Sequence, residues 1–252
     1  MSLYITFPGT GSGKTSLTRF HSSLLISDSI YNLLVDAGDG ISRALLKQNI
    51  SYNSISGVLL SHLHPDHYSG LTSLIVQMKM VNRKEPLTIF VHRSLIKTIK
   101  DYLQTSYIFM ERTDFFINYR GYDFSEEITV SSELSFICRS NTHLKKYERY
   151  DSSLSYACGS FLFKYGEKNI YYSGDIGGAE DLHLFKDYKI DLFIAEAAHA
   201  NIDDLVSVYN KLKPRRIVIT HLSDEDTQEI KLRSTNVDMP VIIAEDGLRL
   251  SV

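Results

Sequence analysis

The segment HLHPDHYSG, from His62 to Gly70, decides how this 252-residue sequence is interpreted. It follows the aliphatic run GVLLS, which has the composition of a buried strand. Three imidazoles and a carboxylate fall within six residues, and such groups need polar partners once they are buried. His62 and His64 are two residues apart, so a turning backbone can direct both toward one metal ion. Asp66 and His67 lie further along and can reach a second ion, so the segment predicts a metal centre at the carboxyl end of a strand.

Composition narrows the remaining possibilities. A chain of 252 residues with 43% hydrophobic and 23% charged residues is ordinary for a globular protein, and we expect one domain over residues 1–252. The sequence has nine histidines but only two cysteines, so a protein-built metal site must use imidazole and carboxylate. A formal net charge of -3 creates no overall field that favours nucleic acid. The sequence shows no leader-like start and no membrane-length apolar run, which predicts a cytoplasmic protein without membrane association.

Short aliphatic and β-branched runs alternate with segments of helical periodicity, and this predicts an α/β protein whose sheets lie between helical layers. The predicted strands are Leu3–Phe7, Leu24–Ser27, Asn32–Asp36, Gly57–Ser61, Leu87–Val91, Phe115–Tyr119, Ser135–Cys138, Phe161–Tyr165, Asn169–Ser173, Leu192–Ala195, Arg216–Thr220 and Val241–Ala244. The predicted helices are Ile41–Gln48, Leu71–Val81, Ser94–Tyr102, Ile202–Leu212 and Asp224–Leu232.

Near the amino terminus, FPGTGSGKTS imitates a nucleotide-binding P-loop. The P-loop pattern places its first glycine five residues before the Gly-Lys pair, and that position is Pro8 here. The following residues also lack helical periodicity. We therefore exclude P-loop chemistry, although the amides of this glycine-rich turn could still approach a bound phosphate.

The HxHxDH pattern resembles the defining motif of the metallo-β-lactamase superfamily. This resemblance implies an αββα four-layer sandwich and further metal ligands downstream, each after a strand. The matching residues are His143 in SNTHLKK, Asp175 in YYSGDIGG and His221 in RRIVITHLS. The first metal would then take His62, His64, His143 and Asp175, and the second would take Asp66, His67, His221 and Asp175.

The segments LLVDAGDGISRALL, AEAAH and THLS extend the resemblance to ribonuclease Z and its smaller phosphodiesterase relatives. In that branch a histidine that is not a ligand precedes the last ligand by one helix and one strand, and His199 matches it. Glu196 could orient a ligand imidazole. The tRNA-gripping arm of true tRNA-processing members has no room between His143 and Asp175, so tRNA is not the expected substrate.

These assignments predict a hydrolase with two divalent ions, with Zn²⁺ preferred and Mn²⁺ or Fe compatible. A metal-bridging hydroxide would attack a small or cyclic phosphodiester, with Asp66 orienting it and His199 acting on the leaving oxygen. Two alternatives stay open: an ester, lactone or thioester hydrolase of the same fold, and an RNA-processing or nucleic-acid-binding protein. A non-catalytic relative would lack ligands, so the complete ligand set argues against it. The expected partner is a small anionic substrate.

The segment from Tyr102 to Phe124 is rich in aromatic residues. It can be read as a strand pair and loop packed on the core, or as an aromatic wall beside the substrate site or at a homodimer contact.

Overall fold

The computed structural model describes residues 2–223, 225, 227, 230 and 241–252. The strands of these residues are β1 (Tyr4–Gly9), β2 (Ser23–Ser27), β3 (Asn32–Val35), β4 (Gly57–Leu59), β5 (Leu87–His92), β6 (Ile117–Tyr122), β7 (Glu127–Thr129), β8 (Leu134–Ser140), β9 (Gly159–Tyr165), β10 (Lys168–Tyr172), β11 (Leu192–Glu196), β12 (Arg216–Thr220), β13 (Val241–Ile243) and β14 (Arg249–Ser251). The α-helices are α1 (Ile41–Lys47), α2 (Pro65–Tyr68), α3 (Leu71–Met80), α4 (Ile96–Thr105) and α5 (Ile202–Leu212).

The strands form two seven-stranded mixed sheets. The first has the order β14-β1-β2-β3-β4-β5-β6, and the second has the order β13-β12-β11-β10-β9-β8-β7. Within the first sheet, β3 to β6 run parallel, and within the second, β10 to β13 run parallel. The carboxyl ends of neighbouring parallel strands share one edge of a sheet, so the loops that follow them lie close together.

Apolar side chains that alternate in direction along the strands form three apolar layers. In β2, Leu24 and Ile26 contribute to the layer between the two sheets, while Leu25 faces the helices outside the first sheet. In β9, Phe161 joins the layer between the sheets and Leu162 faces the opposite side. Since successive side chains of a strand point to opposite faces, each sheet is buried on both sides. The arrangement is a helix–sheet–sheet–helix sandwich, which confirms the predicted fold class.

All twelve predicted strands coincide with observed strands, with ends that differ by a few residues. Strands β7 and β14, which have three residues each and little apolar content, were not predicted from the sequence, and neither was the four-residue helix α2. Four predicted helices coincide with α1, α3, α4 and α5. The predicted helix Asp224–Leu232 lies largely outside the described residues. Among the described ranges, no helix is both long and apolar enough to cross a membrane.

The aromatic segment divides between core and surface. Phe115 and Tyr122 are buried, and the hydroxyl of Tyr102 donates a hydrogen bond to the carbonyl of Ser69 at 2.6 Å. Tyr107 and Phe116 instead expose 82% and 74% of their surface. The packed part agrees with the first of the two interpretations.

Candidate metal centre

The loops that follow strands of both sheets converge at one end of the sandwich. From the first sheet, the loop after β4 carries the His62–His67 segment, and the loop after β3 carries Asp36. From the second sheet, the loops after β8, β10, β11 and β12 carry His143, Asp175, His199 and His221, respectively. Ligand and catalytic groups commonly lie at the carboxyl ends of strands in α/β folds, and this is where the structure places every site residue that the sequence predicted.

The predicted residues form two groups that share one carboxylate. In each group the nitrogen and oxygen atoms that could bind a metal lie within 4.8 Å of one another. The first group consists of His62, His64, His143 and Asp175, and the second consists of Asp66, His67, Asp175 and His221. Their membership matches the two ligand sets expected from the sequence.

Asp175 lies between the two groups and points one oxygen at each. Its Oδ1 is 3.3 Å from His67 Nε2 and 3.4 Å from His221 Nε2, whereas its Oδ2 is 3.7 Å from His143 Nε2. Asp66 Oδ2 is also 3.3 Å from His67 Nε2. Ligand atoms about 2.0–2.1 Å from a tetrahedral metal are separated from one another by about 3.3 Å. The observed spacings therefore fit two cations bridged by Asp175.

In three of the proposed ligand imidazoles, Nδ1 contacts a polar atom outside the two groups, so Nε2 can bind a metal. His67 Nδ1 lies 2.8 Å from Asp36 Oδ2, His62 Nδ1 lies 3.0 Å from the hydroxyl of Ser61, and His143 Nδ1 lies 3.1 Å from a backbone carbonyl. Within the described part of the chain, the buried Nε2 atoms of His62 and His67 and the Oδ1 of Asp175 have no hydrogen-bond partner. Buried polar atoms without partners are costly, so these atoms fit a bound cation.

Asp36 is a site residue that the sequence analysis missed. It is fully buried and accepts hydrogen bonds from the amide and the hydroxyl of Ser61, both at 2.8 Å, in addition to its contact with His67. A carboxylate behind a ligand imidazole fixes the ring and its tautomer. Its φ of 64° lies in the left-handed region, as does the 56° of His221. The signal available in the sequence was an aspartate directly after the strand NLLV.

The electrostatics of the two groups differ. Burial is the main cause that lowers the pKa of His62 well below its usual value, and it lowers the pKa of His143 to about 4. Burial acts against protonation of His221 as well, but the carboxylates of Asp175, Asp66 and Glu196 outweigh it and raise its pKa to about 10. The same attraction holds the pKa of Asp175 well below its usual range despite burial. The second group is therefore an environment that favours added positive charge.

His199 lies beside the two groups with its ring fixed from behind. Its Nδ1 is 2.9 Å from Glu196 Oε1, and its backbone amide donates to Glu196 Oε2 at 3.0 Å. The hydrogen bond to Glu196 raises the pKa of His199. The ring centroid is 4.8 Å from that of His143, and 35% of the side chain is exposed. His199 is thus held at the edge of the centre, where it can meet both the site and solvent.

Glu196 is almost fully buried and serves more than one neighbour. Besides His199, its Oε1 accepts a hydrogen bond from the amide of Ile176, the residue that follows Asp175, at 3.2 Å. Its Oε2 is 3.7 Å from Nδ1 of His221. The structure therefore places Glu196 where it can orient both His199 and a ligand imidazole, as the sequence analysis suggested.

A buried carboxylate joins the loops that carry His143 and Asp175. Asp181 Oδ2 accepts hydrogen bonds from the amide and hydroxyl of Thr142, at 3.0 and 2.8 Å, and from the amide of Gly177 at 2.8 Å. Thr142 precedes His143, and Gly177 follows Asp175 by two residues. Asp181 was not identified from the sequence, since it is remote in the chain from every recognisable motif.

The glycine-rich turn near the amino terminus borders the centre, and no helix follows it among residues 10–22. A Cβ atom on Gly13 would lie 3.1 Å from Asp66 Oδ2, so this turn approaches one of the proposed ligands through its backbone. The structure agrees with the rejection of a P-loop. His21, His92 and His183, to which the sequence analysis gave no site role, belong to neither of the two groups.

Close backbone packing fixes the HxHxDH segment. Pro65 begins α2, and its fixed φ favours a helix start that brings Asp66 and His67 onto one turn. A Cβ on Gly38 would lie only 1.8 Å from the carbonyl oxygen of Asp66, and one on Gly70 would lie 2.0 Å from the carbonyl oxygen of Gly38. Two glycines thus allow the loop after β3 to contact the motif directly.

We expect Gly38→Ala to displace this motif. The added methyl group would clash with the backbone of Asp66, so the variant should bind at least one metal ion about tenfold more weakly and lose thermal stability. Metal content after dialysis and a melting curve check this. Gly178→Ala is the matched control, because a Cβ there meets no atom within 4 Å and its φ of 177° is extended. Equal metal content in the two variants would contradict the packing argument.

Comparison with known proteins agrees with this geometry. The family model of the Anti-Pycsar protein Apyc1 matches residues 3–239. Apyc1 of Bacillus phage BSP38 is 26% identical over 241 residues, which cover 87% of this chain and 89% of that protein. Ribonuclease Z of Saccharolobus solfataricus is 34% identical over 135 residues, but these cover 52% of this chain and only 44% of the relative. The chain therefore aligns with less than half of that ribonuclease.

Among solved structures, the metallo-β-lactamase fold protein YhfI of Bacillus subtilis superposes over 100% of both chains, with a TM-score of 0.77 and 18% identity. This likeness confirms the metallo-β-lactamase fold that the HxHxDH motif predicted. Because the family match covers nearly the whole sequence, the chain belongs to the Anti-Pycsar protein Apyc1 family.

Proposed function

We propose that the protein is a dinuclear metal-dependent phosphodiesterase that acts on a small or cyclic phosphodiester. The observation that carries this proposal is the pair of four-residue groups that share Asp175, with ligand atoms spaced as two bridged cations require. The partial likeness to ribonuclease Z, whose name states action on RNA, supports phosphodiesters as the substrate class.

In this proposal the four-residue group that contains His62 would hold the first cation. The group that contains Asp66 would hold the second. Imidazole and carboxylate ligands suit Zn²⁺ best, and Mn²⁺ or Fe can occupy the same set. Bound there, two divalent cations supply Lewis acidity toward the phosphoryl oxygens and lower the pKa of the attacking water.

The side chains supply the orientation and the proton. Asp66 can accept a hydrogen bond from the attacking water and aim it at phosphorus, while Asp36 and Glu196 keep the surrounding imidazoles in place. His199, whose pKa Glu196 raises, can hold a proton and donate it to the oxygen of the departing alcohol. Cleavage of an unactivated diester needs an acid beside the leaving oxygen, because an alkoxide is a poor leaving group. An activated aryl ester does not need that acid, because its phenolate leaves without a proton.

Two features favour a small substrate over tRNA. Between His143 and Asp175, residues 144–158 form a short 3-10 helix and a loop, and β9 and β10 follow, so this interval holds no long inserted arm. The basic residues of that interval near the site are Lys145, Lys146 and Arg149, and the net charge of the chain is -3. Binding of a long polyanion relies on many cation–phosphate contacts, and three basic residues provide few of them.

A substrate panel tests the proposal. Zinc-loaded protein should hydrolyse bis(p-nitrophenyl) phosphate and a small cyclic phosphodiester, and it should hydrolyse a p-nitrophenyl ester, a lactone and a thioester far more slowly. Cleavage of the carbonyl substrates alone would favour the alternative of an ester, lactone or thioester hydrolase. RNA binding that weakens steeply with salt, without turnover of small diesters, would favour a nucleic-acid-binding protein.

A further inference from the structure

The amino-terminal loop, residues 10–22, connects β1 to β2 and contains the glycine-rich turn that borders the metal centre. Two backbone hydrogen bonds join the arms of this loop. The amide of Gly11 donates to the carbonyl of Phe20 at 2.7 Å, and the amide of Ser22 donates to the carbonyl of Gly11 at 2.9 Å. The two arms therefore form one unit, so a contact that fixes one arm also restrains the other.

This loop fixes the residue that follows His221. The amide of Leu222 donates to the carbonyl of Thr10 at 2.9 Å, and the carbonyl of Leu222 accepts a hydrogen bond from the amide of Ser12 at 3.1 Å. His221 itself has a left-handed φ of 56°, a conformation that few residues other than glycine adopt readily. The hydrogen bonds of Leu222 therefore help to hold His221 in this conformation, with its Nε2 3.4 Å from Asp175 Oδ1.

The same loop lies against another proposed ligand of the second cation. A Cβ atom on Gly13 would be 3.1 Å from Asp66 Oδ2, and that oxygen is 3.4 Å from His221 Nε2. Two of the four members of the second group thus have the loop as a neighbour. His143, in the first group, lies on a loop that Asp181 holds instead. A change that loosens the amino-terminal loop should therefore act mainly on the second cation.

Asp246 anchors the amino-terminal loop from the turn between β13 and β14. Its Oδ1 accepts hydrogen bonds from the amide and the hydroxyl of Thr10, at 2.9 and 2.8 Å, and its Oδ2 accepts one from the amide of Phe20 at 2.8 Å. The turn is itself fixed, because the amide of Gly247 donates to the carbonyl of Phe7 at 2.8 Å. One carboxylate therefore ties both arms of the loop to β1.

The surrounding contacts show why a carboxylate is needed at this position. Thr10 is fully buried, and the guanidinium of Arg19 donates both to its hydroxyl and to the carbonyl of Ala244, the latter at 2.8 Å. Both oxygens of Asp246 accept hydrogen bonds from donors. The NH₂ group of an asparagine can only donate, so Asp246→Asn would place a donor opposite a donor and release one side of the loop.

We propose that Asp246 is a positioning residue for the second cation. It fixes the amino-terminal loop through Thr10 and Phe20, and the loop in turn holds His221 and Asp66 where both can bind the ion. This inference rests on the proposed dinuclear centre, and it assigns Asp246 no contact with the ion or the substrate.

The zinc affinity of single-site variants tests this role, because each variant leaves one group complete. His143→Ala removes a ligand from the first group only, so the zinc ion that stays bound reports the second group. Adding Asp246→Asn should weaken zinc binding there about tenfold, as loss of contacts that support metal ligands does. His67→Ala leaves only the first group complete, and there Asp246→Asn should change the dissociation constant by less than about threefold. Competition with a chromophoric chelator measures both constants.

Glu245→Gln is the matched control in both backgrounds, because it removes the same charge from the exposed neighbouring residue. It should leave both dissociation constants within about twofold. Thr10→Val removes only the hydroxyl bond to Asp246 and keeps the size of the side chain, so this milder variant should weaken the second group alone, by about threefold. Equal weakening of the two groups by Asp246→Asn would indicate general destabilisation and overturn the positioning role, as would unchanged binding at the second group.

Chelator competition involves no turnover, so this inference and the proposed function fail separately. If Asp246→Asn weakens only the second group but the zinc-loaded wild type cleaves no diester, only the proposed function is refuted. If the wild type cleaves diesters and Asp246→Asn leaves zinc binding at the second group unchanged, only the positioning role is refuted.

Discussion

Asp175→Asn is expected to reduce diester hydrolysis by at least about a thousandfold and to leave the protein with fewer than two bound metal ions. Asp175 is the one residue that belongs to both groups, and its two oxygens face different imidazoles. An amide keeps the size of the side chain but removes the negative charge and one of the two acceptor oxygens. Loss of a shared ligand should weaken both sites together, which elemental analysis and kcat/KM for a cyclic phosphodiester will show.

The matched control for this variant is Asp187→Asn. Asp187 is about half exposed and pairs with Arg139 at 2.6 Å, away from both groups. Its variant should retain two metal ions and hydrolysis within about twofold of wild type, since exposed ion pairs contribute little. The bridging role of Asp175 would be refuted if Asp175→Asn retained two tightly bound ions and most of its activity.

His199→Ala is expected to lower kcat by about 10²- to 10⁴-fold for a diester with an alkoxide leaving group, with two metal ions retained. His199 contacts Glu196 and the edge of the centre but belongs to neither of the two four-residue groups, so its removal should affect proton transfer rather than metal binding. The loss should be much smaller for p-nitrophenyl diesters, because p-nitrophenolate departs without a proton. Rates for the two substrate types, with metal content measured in parallel, test this.

His183→Ala is the control, because His183 lies outside both groups and is expected to leave both rates unchanged. An equal loss for the alkoxide and p-nitrophenolate leaving groups would argue against His199 as the acid. A fall in metal content in His199→Ala would instead indicate that Glu196, His199 and His221, whose possible ligand atoms also lie within 4.8 Å of one another, bind a cation.

Much of this site could be predicted because many of its proposed ligands are close together in the sequence. Three imidazoles and a carboxylate in six residues have few explanations besides metal, and each later ligand follows a recognisable strand. The strands themselves were identifiable because both sheets are buried on both faces, so that their sequences read as continuous apolar runs. Short, polar β7 and β14 lack that signal and were missed.

The supporting residues could not be anticipated for the opposite reason. Asp36 and Asp181 act on partners that are 31 and 39 residues away in the chain, and only the folded loops bring them together. Gly38 and Gly70 matter because of distances between backbones, which no local pattern encodes.

Titration of metal-free protein with Zn²⁺, with hydrolysis of a small cyclic phosphodiester followed at each addition, tests the dinuclear centre most directly. With a dinuclear centre, activity should be absent without metal and should rise until two equivalents are bound per chain. Full activity in the metal-free protein, or saturation of binding at two equivalents without any hydrolysis of diesters, would contradict it.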